Sequence, residues 1–575
     1  MLKKLTSLIL LSFSTLVSCA QKGNQDYQGN WIGTLPNKNS FNFTISLEKL
    51  KANNYHLLIA NDKTLIDKNL KSASDEHIQI SIDSHTHITL FNTHEGQTLT
   101  GFIKSGRYFY HISLQNAGSN RFKGYWNTFM IDNSLISDEI LLAIEKNDDG
   151  TLAAYPFFGD QRFRGTWTSG FKMKDDVLLF KDDNTGFRFR AIFLKNTIDL
   201  EIYLSDAFIN KVSLIKFDAD WESVVKIDAI KQEENTDTPP SLNDGWETAN
   251  IHDYGINKNE LLRLLEDIHA KKLINVHSVL IANENKLVFE SYFDGFNANI
   301  PHDLHSASKS ISSAMIGIAI DDEIIKSVDQ KLYEFIPETY QYTKDSLKAQ
   351  ISIKDLLTMS SGLDVNDLAS EDYYQNPFNP KSWLQTVLEA PMVKVPGTYA
   401  DYGSANPFLL GVCLNAVLEK PLEIYMDEKL FAPLGITNYI NQTDDTETTP
   451  YFGGGMLLTS RDLLKFGQLF LDKGKWKDQQ IISEKWVEES FQKHMQLQDV
   501  KDKNEYGYLW WHDTYIINEK AIKSIEARGA GGQFIFVLPE LEAVVVITAG
   551  NFRNGKGNQS RDILKEYILP AIVEK

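Results

Sequence analysis

The strongest constraint on how this chain folds is a change of texture near its middle. From about residue 29 to 218 it is a succession of short alternating or β-rich runs, "FNFTISLEKL", "YHLLIAND", "HIQISIDS", "HITLFN", "TLTGFIKS" and "YFYHISLQ", separated by turn residues. Period-two alternation bounded by Asn, Asp, Gly and Ser predicts antiparallel strands with one face buried. Then "KQEENTDTPPSLND", polar, acidic and proline-containing, predicts a linker over 219–240. Beyond it "KNELLRLLEDIHAKKL" has the spacing of an amphipathic helix, and "HSVLIANENKLVFESYFDG" reads as a hairpin turning at "NENK". Strands in one block and mixed elements in the next argue for separate domains. At 575 residues the chain is also too long for one ordinary domain.

The β block echoes itself. "GNWIGTL" with Trp31 returns as "GYWNTFM" with Trp126, and "TISLEKLKANN" returns as "LLAIEKNDDG". "TLTGFIKSGRYFYHISLQ" returns as "TIDLEIYLSDAFINKVSLIKF". The expected division is two β units, 29–123 and 124–218. They are either two small barrels or sandwiches in tandem or two halves of one larger β structure. His85 and His87 alternate in "DSHTH", but no third ligand is identifiable, and a solvated hairpin tip is the favoured reading over a metal site.

The net charge of −19 argues against nucleic acid as a partner. The start, "MLKKLTSLILLSFSTLVSCAQKG", has two lysines, an apolar run and then small residues, which is an export signal too short for a membrane span. It resembles a bacterial lipoprotein signal, with "LVSC" as the lipobox. That implies a signal peptide over 1–18, acylation of Cys19 and an anchored protein of the cell envelope, periplasmic or at the cell surface. The second cysteine, Cys413, lies in the apolar "FLLGVCLNAV" and reads as a buried small hydrophobe.

One stretch carries chemistry. In "LHSASKSISSAMIGIAIDDEII" Ser306 and Lys309 stand three apart, and Ile311, Ala314, Met315 and Ile318 follow at helical spacing. Residues three apart share a helix face, so the hydroxyl and the amine should meet where the positive end of the helix dipole disfavours a further cation. A lysine so depressed can take a serine proton and make the serine a nucleophile. Ser-x-x-Lys also begins at Ser46, Ser169, Ser213, Ser223 and Ser490, but only Ser306 opens a long apolar helix rich in small residues. Taken alone, Ser306 could equally be an N-cap.

From roughly 243 to 572 several stretches, in order, resemble the serine β-lactamase and penicillin-binding-protein-like family, in its class C β-lactamase and esterase branch. They are "NDGWETANI", "HSASKS", "ISIKDLLTMSSGL", "VPGTYADYGSANPFLLG", "YFGGGMLLTSRDLLKFGQLFLDKG", "GYLWW" and "GAGGQFIFVLPELEAVVVIT". The resemblance implies an α+β domain over 241–575, an antiparallel sheet flanked by helices with a helical subdomain. The whole chain is then multidomain, all-β repeats followed by this hydrolase. It also implies a nucleophile at Ser306, a base at Lys309 and a second acid or base at Tyr402. Ser404 stands where the family has Asn or Ser to touch substrate and lysine.

The family's Lys-Thr-Gly or His-x-Gly strand falls on Ala527-Arg528-Gly529, with the Ala530 N–H and the Ser306 N–H as oxyanion donors. A tyrosine beside Lys309 is expected to have its phenolate favoured by the positive charge. Trp510 and Trp511 read either as cleft lining or as plain core, Tyr399 as structural, and Gln533 is left without a role. Ala527 departs from the pattern, because the usual cation there fixes a substrate carboxylate. Arg528 is adjacent, but strand alternation sends it to the opposite face.

The expected activity is therefore acyl transfer on a small-molecule or peptide-like ester or amide, with neither a metal nor an organic cofactor implied. The alternatives are a β-lactamase or D,D-peptidase proper and an inactive binding or sensory module.

Overall fold

In the computed structural model the described residues run from 27 to 573, except 38–40, 75, 94–95, 129–138, 148–149, 159–166 and 219–236. The signal peptide, Cys19 and most of the expected linker lie outside them.

The β block forms strands for the reason its alternation gives. In Asn42–Lys49 every second side chain, Phe43, Ile45 and Leu47, is buried, and in Thr197–Leu204 the same holds for Ile198, Leu200, Ile202 and Leu204. The strands make two antiparallel eight-strand rings that share one continuous apolar core. Each ring has a seam without a ladder. The Ala73 N–H bonds to Gln79 O at 2.8 Å across the first, and the Thr168 hydroxyl bonds to Ala154 O at 2.8 Å across the second.

The rings do not follow the expected division into 29–123 and 124–218. Strand Gly29–Thr34, with Trp31, pairs with Glu139–Lys146 and Ala207–Phe217 in the second ring. Strand Arg121–Asn127, with Trp126, pairs with Asn42–Lys49 and Tyr108–Asn116 in the first. The opening strand of each unit thus closes the ring built by the other. The two repeats are two barrel-like bodies tied by reciprocal strand exchange. This geometry resists separation, because each ring loses a strand if the units part.

The hydrolase half is built on an eight-stranded antiparallel sheet of its own. Its strands Lys286–Tyr292, Val276–Asn283, Ala543–Ala549, Gln533–Leu538, Lys520–Gly529 and Trp511–Ile517 lie in that order. On one face packs the amphipathic helix Lys258–His269 through Leu261, Leu264, Leu265 and Ile268, together with the C-terminal helical segment. On the other lies Ser460–Leu471, followed by the helical subdomain that contains Ser308–Asp321 and Ala405–Val417. The described end of the expected linker is not a free spacer. Lys258 pairs with Asp237 at 2.5 Å, and buried Arg461 binds Pro240 O at 2.7 Å and Asp244 at 3.1 Å.

The halves share a sheet. Tyr108–Asn116 of the first ring pairs with Ile440–Gln442, which pairs with Met456–Leu458, which pairs with His302–Asp303. Backbone hydrogen bonds therefore run from a barrel strand to a point three residues before Ser306. Arg107 reinforces the junction by donating to Thr443 O at 2.9 Å and lying 4.4 Å over the Trp383 ring.

Candidate active site

Ser306 lies in a single 3-10 turn, His305–Ala307, that leads straight into the helix Ser308–Asp321. His305 holds the turn with a left-handed φ of 46°, which is uncommon outside glycine and costs strain that the surroundings must hold. The helix is buried on all sides because its small residues, Ser310, Ser312, Ser313 and Ala314, let neighbours approach closely. Lys309 is carried into that interior.

The amine of Lys309 has three partners: Ser306 Oγ at 2.7 Å, Ser404 Oγ at 3.0 Å and the carbonyl oxygen of Gly453. Ser404 stands just before Ala405–Val417, where its side chain makes no capping bond and instead gives its proton to Glu371 Oε2 at 3.0 Å. Burial pushes the lysine down to about 8, with the Glu371 charge opposing. Desolvation is the leading cause.

These partners fix where a neutral amine points. It keeps two N–H donors and one lone pair. The Gly453 carbonyl can only accept, and the Ser404 proton is already committed to Glu371. Of the three partners, only the Ser306 hydroxyl has a proton for the lone pair.

Tyr402 lies in the loop before the same helix, its ring 5.4 Å from the lysine amine and 4.9 Å from the Trp511 ring. Its backbone N–H is held by Asp499 at 3.1 Å. Burial raises its phenol above the ordinary range, and a hydrogen bond with Ser306 only partly offsets this. The expected phenolate is thus corrected: the resting group is a neutral phenol in contact with the nucleophile, because burial penalises the anion more than its neighbours favour it.

Gly529 ends the strand Lys520–Gly529 against the nucleophile turn. A Cβ there would stand 2.1 Å from Leu304 O, so only glycine permits the approach. The strand end, one residue before Ala530, is thereby set against the turn that carries Ser306. Ala527 is wholly buried. Arg528, on the other strand face, is engaged by Glu526 at 2.7 Å and Asp513 at 2.8 Å and covers the Trp511 ring at 4.7 Å.

Trp511 therefore borders the site, whereas Trp510 is core, packed against Phe466, Phe470 and Phe491. Gln533 is structural, its amide bridging to the Ala549 backbone. Tyr399 lies outside the site, under the Lys394 amine at 4.5 Å. Cys413 is fully buried. His85 and His87 find separate partners in Glu447 and Ser81, and no group of three or more metal-ligating side chains occurs among the described residues.

The residue that sequence reasoning missed is Glu371. Its second oxygen accepts from Tyr451 at 2.8 Å, and Tyr451 in turn meets Tyr374 at 2.5 Å. It sits in "ASEDYYQNP" among other carboxylates, so no spacing singles it out.

A serine hydroxyl, a buried depressed lysine and a neutral phenol converging on one point, beside a glycine-bounded strand, is the arrangement of a serine acyl hydrolase. The family model described as Beta-lactamase matches residues 263–569, just over half of the chain, and the chain belongs to that family of serine hydrolases. It is similar to a 6-aminohexanoate-dimer hydrolase from Paenarthrobacter ureafaciens, 24% identical over 287 residues, 46% of this chain and 70% of the relative. It is also similar to a putative D-alanyl-D-alanine carboxypeptidase from Escherichia coli, 26% identical over 120 residues, 20% of this chain and 27% of the relative. Among solved structures, a putative 6-aminohexanoate-dimer hydrolase from Bacillus anthracis aligns with a TM-score of 0.45 at 20% identity, over 54% of this chain and 81% of the other.

Proposed function

We propose that this protein is an exported, lipid-anchored hydrolase that cleaves an uncharged ester or amide through an acyl-enzyme on Ser306. The observation that carries the reading is the 2.7 Å contact between Lys309 Nζ and Ser306 Oγ inside a cage that leaves the lysine lone pair no other proton. Ser306 Oγ attacks the carbonyl carbon, and its proton passes to Lys309. The tetrahedral oxyanion is held by the N–H groups of Ser306 and Ala530. Tyr402, protonated at rest, relays a proton to the leaving oxygen or nitrogen and is itself refilled from Lys309. Water then attacks the acyl carbon and releases the acid, returning Ser306 to its hydroxyl.

Ala527 in place of a cation, and Arg528 already satisfied by two carboxylates, favour substrates without a recognised carboxylate. The similarity to a protein named for hydrolysing 6-aminohexanoate dimer supports a linear amide as the bond cleaved. Anchoring rests on "LVSC" and Cys19. No helix among the described residues is long and apolar enough to cross a membrane.

The test is active-site labelling. A fluorophosphonate probe should label the native protein and not Ser306→Ala, while labelled penicillin should leave both unmarked. Labelling by penicillin would support a β-lactamase or D,D-peptidase proper, and labelling by neither would support an inactive module.

A further inference from the structure

A second concavity lies away from Ser306. It occupies about 410 Å³ between the first ring and the hydrolase half, and none of Ser306, Lys309, Tyr402 or Ser404 lines it. Its walls are the outer side of strand Arg121–Asn127, the segment 297–301 and the segment 438–440. In a chain of net charge −19 this lining contains no Asp, Glu, Lys or Arg. Its ionisable imidazole, His111, is buried, which lowers its pKa against the opposing Asp427 carboxylate 3.5 Å from Nε2, and its Nδ1 is bonded to Thr437 O at 2.7 Å.

What the walls offer instead is amides and aromatic rings. Asn42, Asn127, Asn297, Asn299 and Asn438 line the cleft, with part of their capacity in use: Asn438 donates to Asn299 O at 2.5 Å, and Asn297 accepts from the Asn299 N–H at 2.9 Å. Each amide presents donors and an acceptor on one group, as suits a ligand whose hydroxyls both donate and accept. Tyr125 projects at the rim with 80% of its surface exposed, on a strand that otherwise alternates small or polar residues outward. At the rim its ring offers the cleft a flat apolar face. The next residue, Trp126, faces the other way, into the ring core against Phe43 and Tyr110.

We propose that this cleft is a binding site for a neutral saccharide, separate from the hydrolytic site. Uncharged hydroxyls pair with the asparagine amides, and the apolar face of a sugar ring lies on Tyr125. An ion-free lining neither attracts nor neutralises a charged glycan. The cleft is built on the same sheet that leads through Met456–Leu458 to His302–Asp303, so a held glycan would be kept on the molecule that carries the hydrolase.

The experiment is calorimetric titration of the full chain with cellohexaose and N-acetylchitohexaose, with hexagalacturonate as the anionic counterpart and pentaalanine as a neutral peptide. Saturable binding of at least one neutral oligosaccharide is expected, unchanged in Ser306→Ala. Tyr125→Ala, at an exposed position where folding is not at stake, should weaken it by about three- to tenfold. Circular dichroism of Tyr125→Ala checks that the ring is intact. The proposal is overturned if no neutral saccharide binds, if the anion or the peptide binds as well as the sugars, or if Tyr125→Ala binds as the native protein does.

Discussion

Replacing Glu371 by Gln tests whether a surface carboxylate sets the charge of the buried lysine. Glu371 Oε2 and Lys309 Nζ each lie 3.0 Å from Ser404 Oγ, so they are at most about 6 Å apart. Over 6 Å, two unit charges interact by about 2.8 kcal/mol at an effective dielectric of 20 and about 0.7 kcal/mol in water. Because Glu371 is exposed, the screened end of that range applies, about half to one pH unit.

The sign is fixed. The carboxylate raises the lysine pKa, so its removal lowers the value from about 8 toward roughly 7 to 7.5. With a pKa near 8 about a tenth of the lysine is neutral at pH 7, so the variant should gain about three- to fivefold in kcat/KM there. The assay is the pH dependence of kcat/KM on p-nitrophenyl acetate from about pH 6 to 10, with Ser306→Ala as the blank. The acid limb should move to lower pH while the plateau stays. A limb that does not move, or moves alkaline, would refute the electrostatic reading of Glu371.

Other outcomes follow from the same geometry. Tyr402→Phe should keep the fold and lose about 10²- to 10⁴-fold in kcat, most severely for amides with poor leaving groups, as measured on matched ester and amide substrates. Gly529→Val should abolish turnover and lower the melting temperature, since its Cβ would stand 2.1 Å from Leu304 O; a native-like melting curve with full activity would contradict the close approach. Arg461→Ala strands Glu290, whose oxygens it now binds at 2.7 Å, and should cost about 3–5 kcal/mol in urea unfolding of the hydrolase half. Cys19→Ala should remove incorporation of radiolabelled palmitate in cells, and retained labelling would rule out the lipobox reading.

Much of the fold was legible in sequence, for identifiable reasons. Alternation such as that of Asn42–Lys49 announces a strand, and the apolar spacing after Lys309 announces a helix, because both depend on neighbours within one or two turns of chain. The strand exchange was not legible. Trp31 and Trp126 revealed that the units repeat, but alternation states only which face a strand buries, not which strand lies beside it. Likewise Arg528 could be assigned to a face, while its capture by Asp513 and Glu526 needed the sheet.

Sequence alone put a hydroxyl and an amine one helical turn apart, since Ser306 and Lys309 are three residues apart and helix geometry does the rest. It also showed the block of strands and the mixed half after it. Only the tertiary structure decided that the amine is desolvated, that Glu371 and Gly453 surround it and that the Tyr402 phenol stays protonated. Desolvation and through-space charge depend on groups brought close by folding from 62 and 144 residues away along the chain, and local pattern holds no record of them.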